Sequence, residues 1–159
     1  LLGFCRAEGF ELTHVKPHGE LYLTAVRDKD TARGLVRAVK AVDHNIMLLM
    51  YGPIVTTECK RAGVAMVHEA YVDLDYNPDG SLVLERKKAA RDPSTIAARA
   101  VNMLQRGGVN AIDGSWLEYP VESICLHGDG PNAVELAKTV RQGIINAGYE
   151  LVTLRSFIG

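Results

Sequence analysis

The sequence has few cysteines, and none of them is spaced as a paired motif requires. The three cysteines, Cys5, Cys59 and Cys125, lie far apart and form no C-x-x-C motif. An odd number of distant cysteines is not the pattern of a disulfide framework or of a zinc knuckle. Cys125 lies within an apolar stretch, a position typical of an inert, buried thiol rather than of a nucleophile. Reduced thiols are typical of the cytosol, so the sequence predicts a cytoplasmic protein.

Long apolar runs and an excess of one charge are also absent. The longest strongly apolar run, residues 46–51, is far shorter than the about 20 residues of a membrane-spanning helix. The formal net charge is -1, and the only dense basic cluster is residues 85–91. No broad positive field exists to attract nucleic acid or an anionic membrane, so neither is expected as a partner.

What the sequence does have is an ordinary globular composition, with 47% hydrophobic and 23% charged residues. A chain of 159 residues with no internal repeat or linker is expected to form a single domain over residues 1–159. The chain starts at Leu1 without a methionine, so we expect its natural start to lie further upstream.

Apolar periodicity alternates between strand-like and helix-like segments. The predicted strands are residues 10–15, 45–51, the start of 64–73, 123–127 and 150–154, with a turn and short ribbon at 77–85. The predicted helices are residues 28–42, 53–63, 92–104 and 131–147. This order indicates an α/β fold with parallel strands and right-handed crossovers. A closed barrel typically needs about 200 residues or more, so the sheet is expected to be open or the barrel incomplete.

Three polar clusters follow three of the predicted strands, where parallel α/β folds place their ligand sites. Lys16 and His18 follow the first strand, which we expect to be buried, and Glu69 and Asp73 follow the third. An isolated pair such as Lys16 and His18 is equally compatible with a surface lysine beside a backbone-bonded histidine. Glu69 and Asp73 could likewise be solvated loop carboxylates.

The third cluster, HGDGPN at residues 127–132, has three interpretations. Pro131 could begin the following helix, with Gly130 or Asp129 as its cap. Alternatively, the free N–H groups of the helix start could bind a phosphate or carboxylate, with His127 as donor or proton carrier. Gly128, Gly130 and Ala133 also fit the dinucleotide fingerprint G-x-G-x-x-[GA], but that motif should open a Rossmann domain rather than lie near the end of a chain. A Walker A motif is absent.

A metal site is a further possibility, since histidine and carboxylate side chains suit zinc, manganese or iron. The candidate ligands are His18, His127, Glu69, Asp73 and Asp129. No H-E-x-x-H or similar spacing supports a metal site.

Three segments of the sequence contain most of the candidate residues: VKPHGELY at residues 15–22, EAYVDLDYNPDGSLVLER at 69–86 and ICLHGDGPNAVELAKTVR at 124–141. Together, and in this order, they resemble motifs of the LamB/YcsF family. The resemblance covers nearly all of this chain and about the last two thirds of a typical member. The family's N-terminal Asp-Leu-Asn, Gly-Phe-His-Ala-Gly-Asp and Gly-Ala-His-Pro motifs are not present, which suggests a truncated chain.

The resemblance implies a distorted β/α barrel similar to those of glycoside hydrolases and deacetylases, and this chain is expected to form an incomplete one. It also implies a role, with two partner proteins known as the B and C subunits, in opening the lactam 5-oxoproline to glutamate at the expense of ATP. An incomplete barrel would expose sheet edges that a partner or a second copy of the chain would cover.

The sequence departs from the family pattern at several positions. Glu20 stands where the family has alanine, Leu23 where it has asparagine, and Gly130 where it has threonine. Leu74 stands where arginine is usual, and leucine cannot replace the donors of a guanidinium. Arg86 is the nearby candidate to compensate.

The chemistry implied by the resemblance assigns a role to each candidate residue. Lys16 and Arg86 would supply positive charge around transferring phosphoryl oxygens, with ATP as the cofactor. His18 and His127 would donate to the lactam carbonyl or carry protons. The remaining role, a base that activates water or a ligand of Mg²⁺, falls to the carboxylates Glu69, Asp73 and Asp129. On this hypothesis, Lys16 and His18 pair with an anionic ligand and with facing carboxylates.

Two alternatives remain open at this point. One is a metal-dependent hydrolase of C–N bonds, similar in fold to the polysaccharide deacetylases. The other is a non-catalytic component that docks onto partner subunits.

Overall fold

The computed structural model describes residues 1–157, which belong to two compact units. The first unit contains Leu1–His68 and the residues from Val152 onward, and the second contains Glu69–Leu151. The boundary between them falls inside a single strand. That the chain forms one domain stays a prediction. No helix within residues 1–157 has the length and apolar character needed to cross a membrane.

The first unit is built from four helices and short parallel strands. In chain order they are α1 (Leu2–Ala7), β1 (His14–Val15), α2 (Glu20–Arg27), α3 (Lys29–Val42), β2 (Met47–Met50), α4 (Pro53–Ala62) and the start of β3 (Met66–Tyr71). β1 pairs in parallel with β2, and β2 pairs in parallel with β3. Every residue of β2 is buried, and the strand has a parallel neighbour on each side.

Local sequence signals explain two helices of the first unit. The carboxylate of Asp28 accepts a hydrogen bond from the N–H of Thr31 and caps α3, and bonding to Thr31 lowers the pKa of Asp28. α4 begins at Pro53 and ends at Gly63, whose φ of 68° is the left-handed conformation that glycine adopts without strain. Both helices were predicted at these positions, and the structure confirms them.

Cys59 on α4 is predicted to be chemically inert in the native state. Its side chain is buried, and burial, aided by the charge of Glu58, raises the pKa of its thiol to about 11. At pH 8 only about one thiol in a thousand would then be the reactive thiolate. A thiol reagent should label the half-buried Cys5 and Cys125 before Cys59, whereas all three should react in denaturant. Labelling of native Cys59 at the rate of Cys125 would contradict this prediction.

The second unit continues β3 and adds five strands and two long helices. These are β4 (Asp75–Tyr76), β5 (Leu82–Val83), α5 (Pro93–Arg106), β6 (Gly108–Asn110), β7 (Trp116–Glu118), β8 (Ser123–Cys125) and α6 (Ala133–Asn146). β3 pairs in parallel with β8, whereas β4 with β5 and β6 with β7 form antiparallel ribbons. α5 packs against α6, and a Cβ added at Gly143 would lie 3.2 Å from that of Ala97.

The parallel strand pairs and the alternating helices confirm the α/β class. β1 and β8 each have a single neighbour within residues 1–157, so the parallel ladder is open at both strands, as expected for an incomplete barrel. The ribbon with its turn at Asp79 and Gly80 is also confirmed, as is α5 with Asp92 as its cap and Pro93 at its first position.

The first strand, the last strand and the start of the last helix were predicted wrongly. The first strand is limited to His14–Val15, and His14 is exposed, so Lys16 and His18 follow a short edge strand rather than a buried one. No strand forms at residues 150–154, which are mostly exposed and have no ladder partner; a 3-10 helix begins at Leu154 instead. α6 begins at Ala133 with Asn132 in the cap position, so neither Asp129 nor Gly130 caps it.

Two helices were not predicted. α1 buries none of its residues, so the sequence carries no apolar stripe that would reveal it. α2 buries Tyr22 and Ala25, which are three residues apart on one helix face, but it has only two turns and no side-chain cap.

Candidate functional site

The core of the candidate site is a pair formed by Asp73 and His127. β3 and β8 run in parallel with Tyr71 opposite Cys125, so the residues two positions further on, Asp73 and His127, emerge side by side. The backbone N–H of His127 donates to Oδ2 of Asp73 at 2.8 Å, and its ring Nδ1 lies 3.0 Å from both carboxylate oxygens. The Asp73 side chain is only 7% exposed.

This pairing prepares the other ring nitrogen of His127 for proton transfer. When Nδ1 donates to the carboxylate of Asp73, the tautomer is fixed and Nε2 carries a lone pair. No residue among 1–157 forms a hydrogen bond with Nε2, and the His127 side chain is about one-third exposed. Nε2 can therefore accept a proton from a water molecule or return one to a leaving group.

Tyr71 contacts the ring of His127 and is itself bonded to Glu69. The ring of Tyr71 stacks on the imidazole with 5.7 Å between centroids and 14° between planes. The Tyr71 hydroxyl donates to Oε2 of Glu69 at 2.8 Å, and the hydroxyl of Tyr119 donates to the backbone carbonyl of Glu69. Glu69 and Asp73 are thus both buried, and neither is the solvated loop carboxylate that the sequence left open.

Lys88 is the residue of this cluster that the sequence prediction missed. Its Nζ donates to Oδ1 of Asp129 at 2.6 Å and lies 4.0 Å from Oδ2 of Asp73. The side chain of Lys88 is only 17% exposed, whereas that of Asp129 is 71% exposed. The hydrogen bond from Lys88 is the main reason that the pKa of Asp129 lies below its usual value. The only sequence signal was membership of the basic cluster at residues 85–91, which we call the basic loop.

Ion pairs and a hydrogen bond at Arg91 fix the C-terminal end of the basic loop. Arg91 forms ion pairs with Asp75 at 3.3 Å and with Glu85 at 2.9 Å, and Arg99 reaches the same Asp75 at 3.0 Å. Burial raises the pKa of Asp75, but bonding to these two guanidinium groups outweighs it and leaves that pKa below its usual value. The amide of Asn132 donates to the Arg91 carbonyl at 2.8 Å. These bonds hold Lys88 close to the Asp73–His127 pair.

The first unit carries the other two predicted catalytic residues. Lys16 and His18 follow β1 and are exposed. Nζ of Lys16 lies 5.9 Å from the ring centroid of Tyr22, and the Tyr22 hydroxyl accepts a hydrogen bond from the N–H of Tyr51. The catalytic roles of Lys16 and His18 stay predictions.

The predicted cofactor-binding residues lie in two places. Gly128 and Gly130 line an open cavity of about 650 Å³ at the start of α6, together with Lys138. A Cβ at either glycine would meet nothing, so a ligand can approach the backbone closely. The glycine backbone and Lys138 suit an anionic group such as a phosphate. Arg86 is exposed and forms no ion pair with any other residue among 1–157.

That these carboxylates bind Mg²⁺ stays a prediction. The ammonium group of Lys88 contacts Asp129 and lies 4.0 Å from Asp73, so a cationic side chain lies beside both carboxylates. Within residues 1–157, no group of three or more His, Cys, Asp or Glu side chains is arranged to hold a metal ion.

Comparison with known proteins gives one family. The model of the LamB/YcsF family matches residues 1–159. Two relatives, each named as the A subunit of 5-oxoprolinase, are those of Thermococcus onnurineus, 41% identical over 99% of this chain, and Pyrococcus abyssi, 40% identical over 100%. This chain covers 63% and 64% of those two proteins, which is less than two thirds of their length.

A solved structure agrees with the sequence relatives. The crystal structure of a lactam utilization protein from Thermus thermophilus matches with a TM-score of 0.82 and 38% identity. The match covers 94% of this chain and 60% of that protein. This similarity supports the α/β fold of the chain.

Proposed function

Because this chain belongs to the LamB/YcsF family, we propose that it acts as the A subunit of an ATP-dependent 5-oxoprolinase. The reaction opens 5-oxoproline, a five-membered lactam, to glutamate, and two partner proteins, the B and C subunits, take part. Relatives that are 37% to 41% identical to this chain over the aligned residues carry the name of this subunit. The observation that carries the proposal is the buried Asp73 held against the ring of His127, which supplies the base that lactam opening requires.

The chemistry of a lactam explains why a base is needed. A lactam carbonyl is a poor electrophile, and ATP would make it reactive by phosphorylating its oxygen, with release of ADP. After water adds to the carbonyl carbon, the ring C–N bond would break as its nitrogen takes up a proton, and a second water would displace phosphate from the resulting acyl phosphate to give glutamate. Water must lose a proton as it attacks. Nε2 of His127 accepts that proton, and the carboxylate of Asp73 stabilises the imidazolium that forms. Tyr71, stacked on the ring, keeps the imidazole in its plane.

An anionic cofactor group would bind at the start of α6. The glycine backbone of Gly128 and Gly130 and the ammonium group of Lys138 would hold a phosphate there. Arg86, which has no ion-pair partner among residues 1–157, remains available as a further phosphate ligand.

The proposal is tested by reconstituting the reaction from separate proteins. The full chain is mixed with its two candidate partner subunits, 5-oxoproline and ATP, and glutamate is measured. Glutamate release is expected only when all three proteins are present. Release that persists without this chain, or none from the complete mixture, would contradict the proposal.

Lys16 and His18 give a separate prediction within the same assay. If both act in the site, replacing both by alanine should lower the rate of glutamate release by about 10²-fold or more, the usual contribution of a positioned donor or proton carrier. Both side chains are exposed, so folding should be unaffected. Unchanged turnover in the double variant would remove Lys16 and His18 from the site.

A further inference from the structure

We propose that Lys88 binds the carboxylate of the lactam substrate and that Asp129 occupies this carboxylate site when substrate is absent. The inference rests on the proposed function, because it assumes that the substrate is 5-oxoproline, a lactam that carries one carboxylate. It makes Lys88 a specificity-determining residue and Asp129 an internal competitor of the substrate.

The unequal burial of the two partners supports this exchange. Lys88 has 17% of its side chain exposed, and a lysine ammonium group so far removed from water needs an anion beside it. Both carboxylate oxygens of Asp73 contact the ring of His127, and Asp73 lies 4.0 Å from Nζ of Lys88. Asp129, at 2.6 Å, is therefore the anion closer to Lys88. Asp129 is 71% exposed, and no other side chain among residues 1–157 bonds to it. A carboxylate ligand that takes the place of Asp129 keeps the Lys88 ammonium group paired, and the exposed Asp129 returns to solvent at small cost.

The position of Lys88 relative to His127 fits the shape of the substrate. Lys88 and His127 both lie against the carboxylate of Asp73. In 5-oxoproline the carboxylate-bearing carbon and the lactam carbonyl are separated only by the ring nitrogen. A ring whose carboxylate binds Lys88 would therefore place its carbonyl next to His127, which is the residue assigned to activate water.

Contacts of the basic loop at Arg91 favour the observed position of Lys88 beside Asp73 when Asp129 moves away. Arg91 is fixed by Asp75 and Glu85, and its backbone is bonded to Asn132. We therefore expect Lys88 to stay near Asp73 when Asp129 leaves it. Its neighbour Lys87 is exposed and forms no ion pair within residues 1–157, which makes it a matched control.

The test is equilibrium binding, measured by calorimetry on the full chain assembled with its partner subunits. The ligands are 5-oxoproline, 2-pyrrolidinone, which is the same lactam without the carboxylate, and inorganic phosphate. Lys88→Met should weaken 5-oxoproline binding by about tenfold or more, as expected for loss of a charge-assisted hydrogen bond, and leave 2-pyrrolidinone binding unchanged. Asp129→Asn should strengthen 5-oxoproline binding by about two- to fivefold, because the competitor is removed. Lys87→Met should bind as the unsubstituted protein does.

Other outcomes separate failure of this inference from failure of the proposed function. If Lys88→Met binds 5-oxoproline normally, or if Lys88→Met loses only phosphate binding, Lys88 does not recognise the substrate carboxylate. If Asp129→Asn weakens 5-oxoproline binding, Asp129 contacts the ligand and is not its competitor. Because Asp129 is exposed, this variant also tests the inference if Lys88→Met fails to fold. An unsubstituted assembly that neither binds 5-oxoproline nor releases glutamate would contradict the proposed function itself.

Discussion

Replacing His127 by glutamine should lower kcat for glutamate release by about 10²- to 10⁴-fold, the usual contribution of a general base. Glutamine keeps a polar side chain of similar length but has no nitrogen that accepts a proton from water. The backbone N–H of residue 127 still bonds Asp73 in the variant, so the turn after β8 should persist. Coupled measurement of glutamate release over a range of 5-oxoproline concentrations would show the loss in kcat with KM little changed.

His44→Gln is the matched control for this substitution. His44 lies between α3 and β2 with 77% of its side chain exposed, and it forms an ion pair only with Asp43 among residues 1–157. Turnover of His44→Gln should equal that of the unsubstituted protein. A kcat of His127→Gln within tenfold of normal would remove His127 from the role of base.

The largest expected effect on stability comes from adding a methyl group at Gly108. This buried residue begins β6, and a Cβ there would overlap the carbonyl oxygen of Leu117 and lie 2.7 Å from Nε1 of Trp116. Trp116 cannot easily move away, because the guanidinium of Arg106 lies 3.7 Å over its ring. Gly108→Ala should therefore lower the free energy of unfolding by about 3 kcal/mol. In thermal unfolding this corresponds to a Tm lower by about 6–12 °C.

Gly34→Ala is expected to have the opposite effect and to raise the free energy of unfolding. Gly34 lies inside α3, and a Cβ there meets no atom within 4 Å. Alanine is favoured over glycine within a helix, so this variant should be more stable by about 0.5–1 kcal/mol. If Gly108→Ala unfolds at or above the temperature of the unsubstituted protein, the close packing of β6 against β7 would be contradicted.

Much of the fold could be predicted because its signals are local. Pro53 and Gly63 mark the two ends of α4, and Asp92 with Pro93 marks the start of α5, since each conformation depends on the residue itself or on near neighbours. The buried β2 was equally clear from its unbroken apolar run.

Other parts of the fold depend on partners that are distant in sequence. Residues 150–154 have the composition of a strand, but a strand exists only where a neighbour completes its hydrogen bonds, and these residues have no ladder partner within residues 1–157. The same reason shortens the first strand to His14–Val15, which pairs only with Met47 and Leu48.

The candidate site shows a similar division. Asp73 and His127 could be predicted as site residues because both follow apolar strands, and parallel pairing of β3 with β8 joins them. Lys88 could not, because its two partners are Asp73 and Asp129, which lie elsewhere in the chain, and nothing in its own segment indicates them. The sequence offered Arg86 as the nearby cation, but only the fold of the basic loop determines which of its basic residues faces Asp73.

A structure of the full chain, assembled with its partner subunits and bound to 5-oxoproline, would show directly whether Asp73 and His127 activate water for lactam opening. We expect the lactam carbonyl to lie within reach of Nε2 of His127 and the carboxylate to have replaced Asp129 on Lys88. A lactam ring bound away from the Asp73–His127 pair would contradict the claim that this pair activates water for lactam opening.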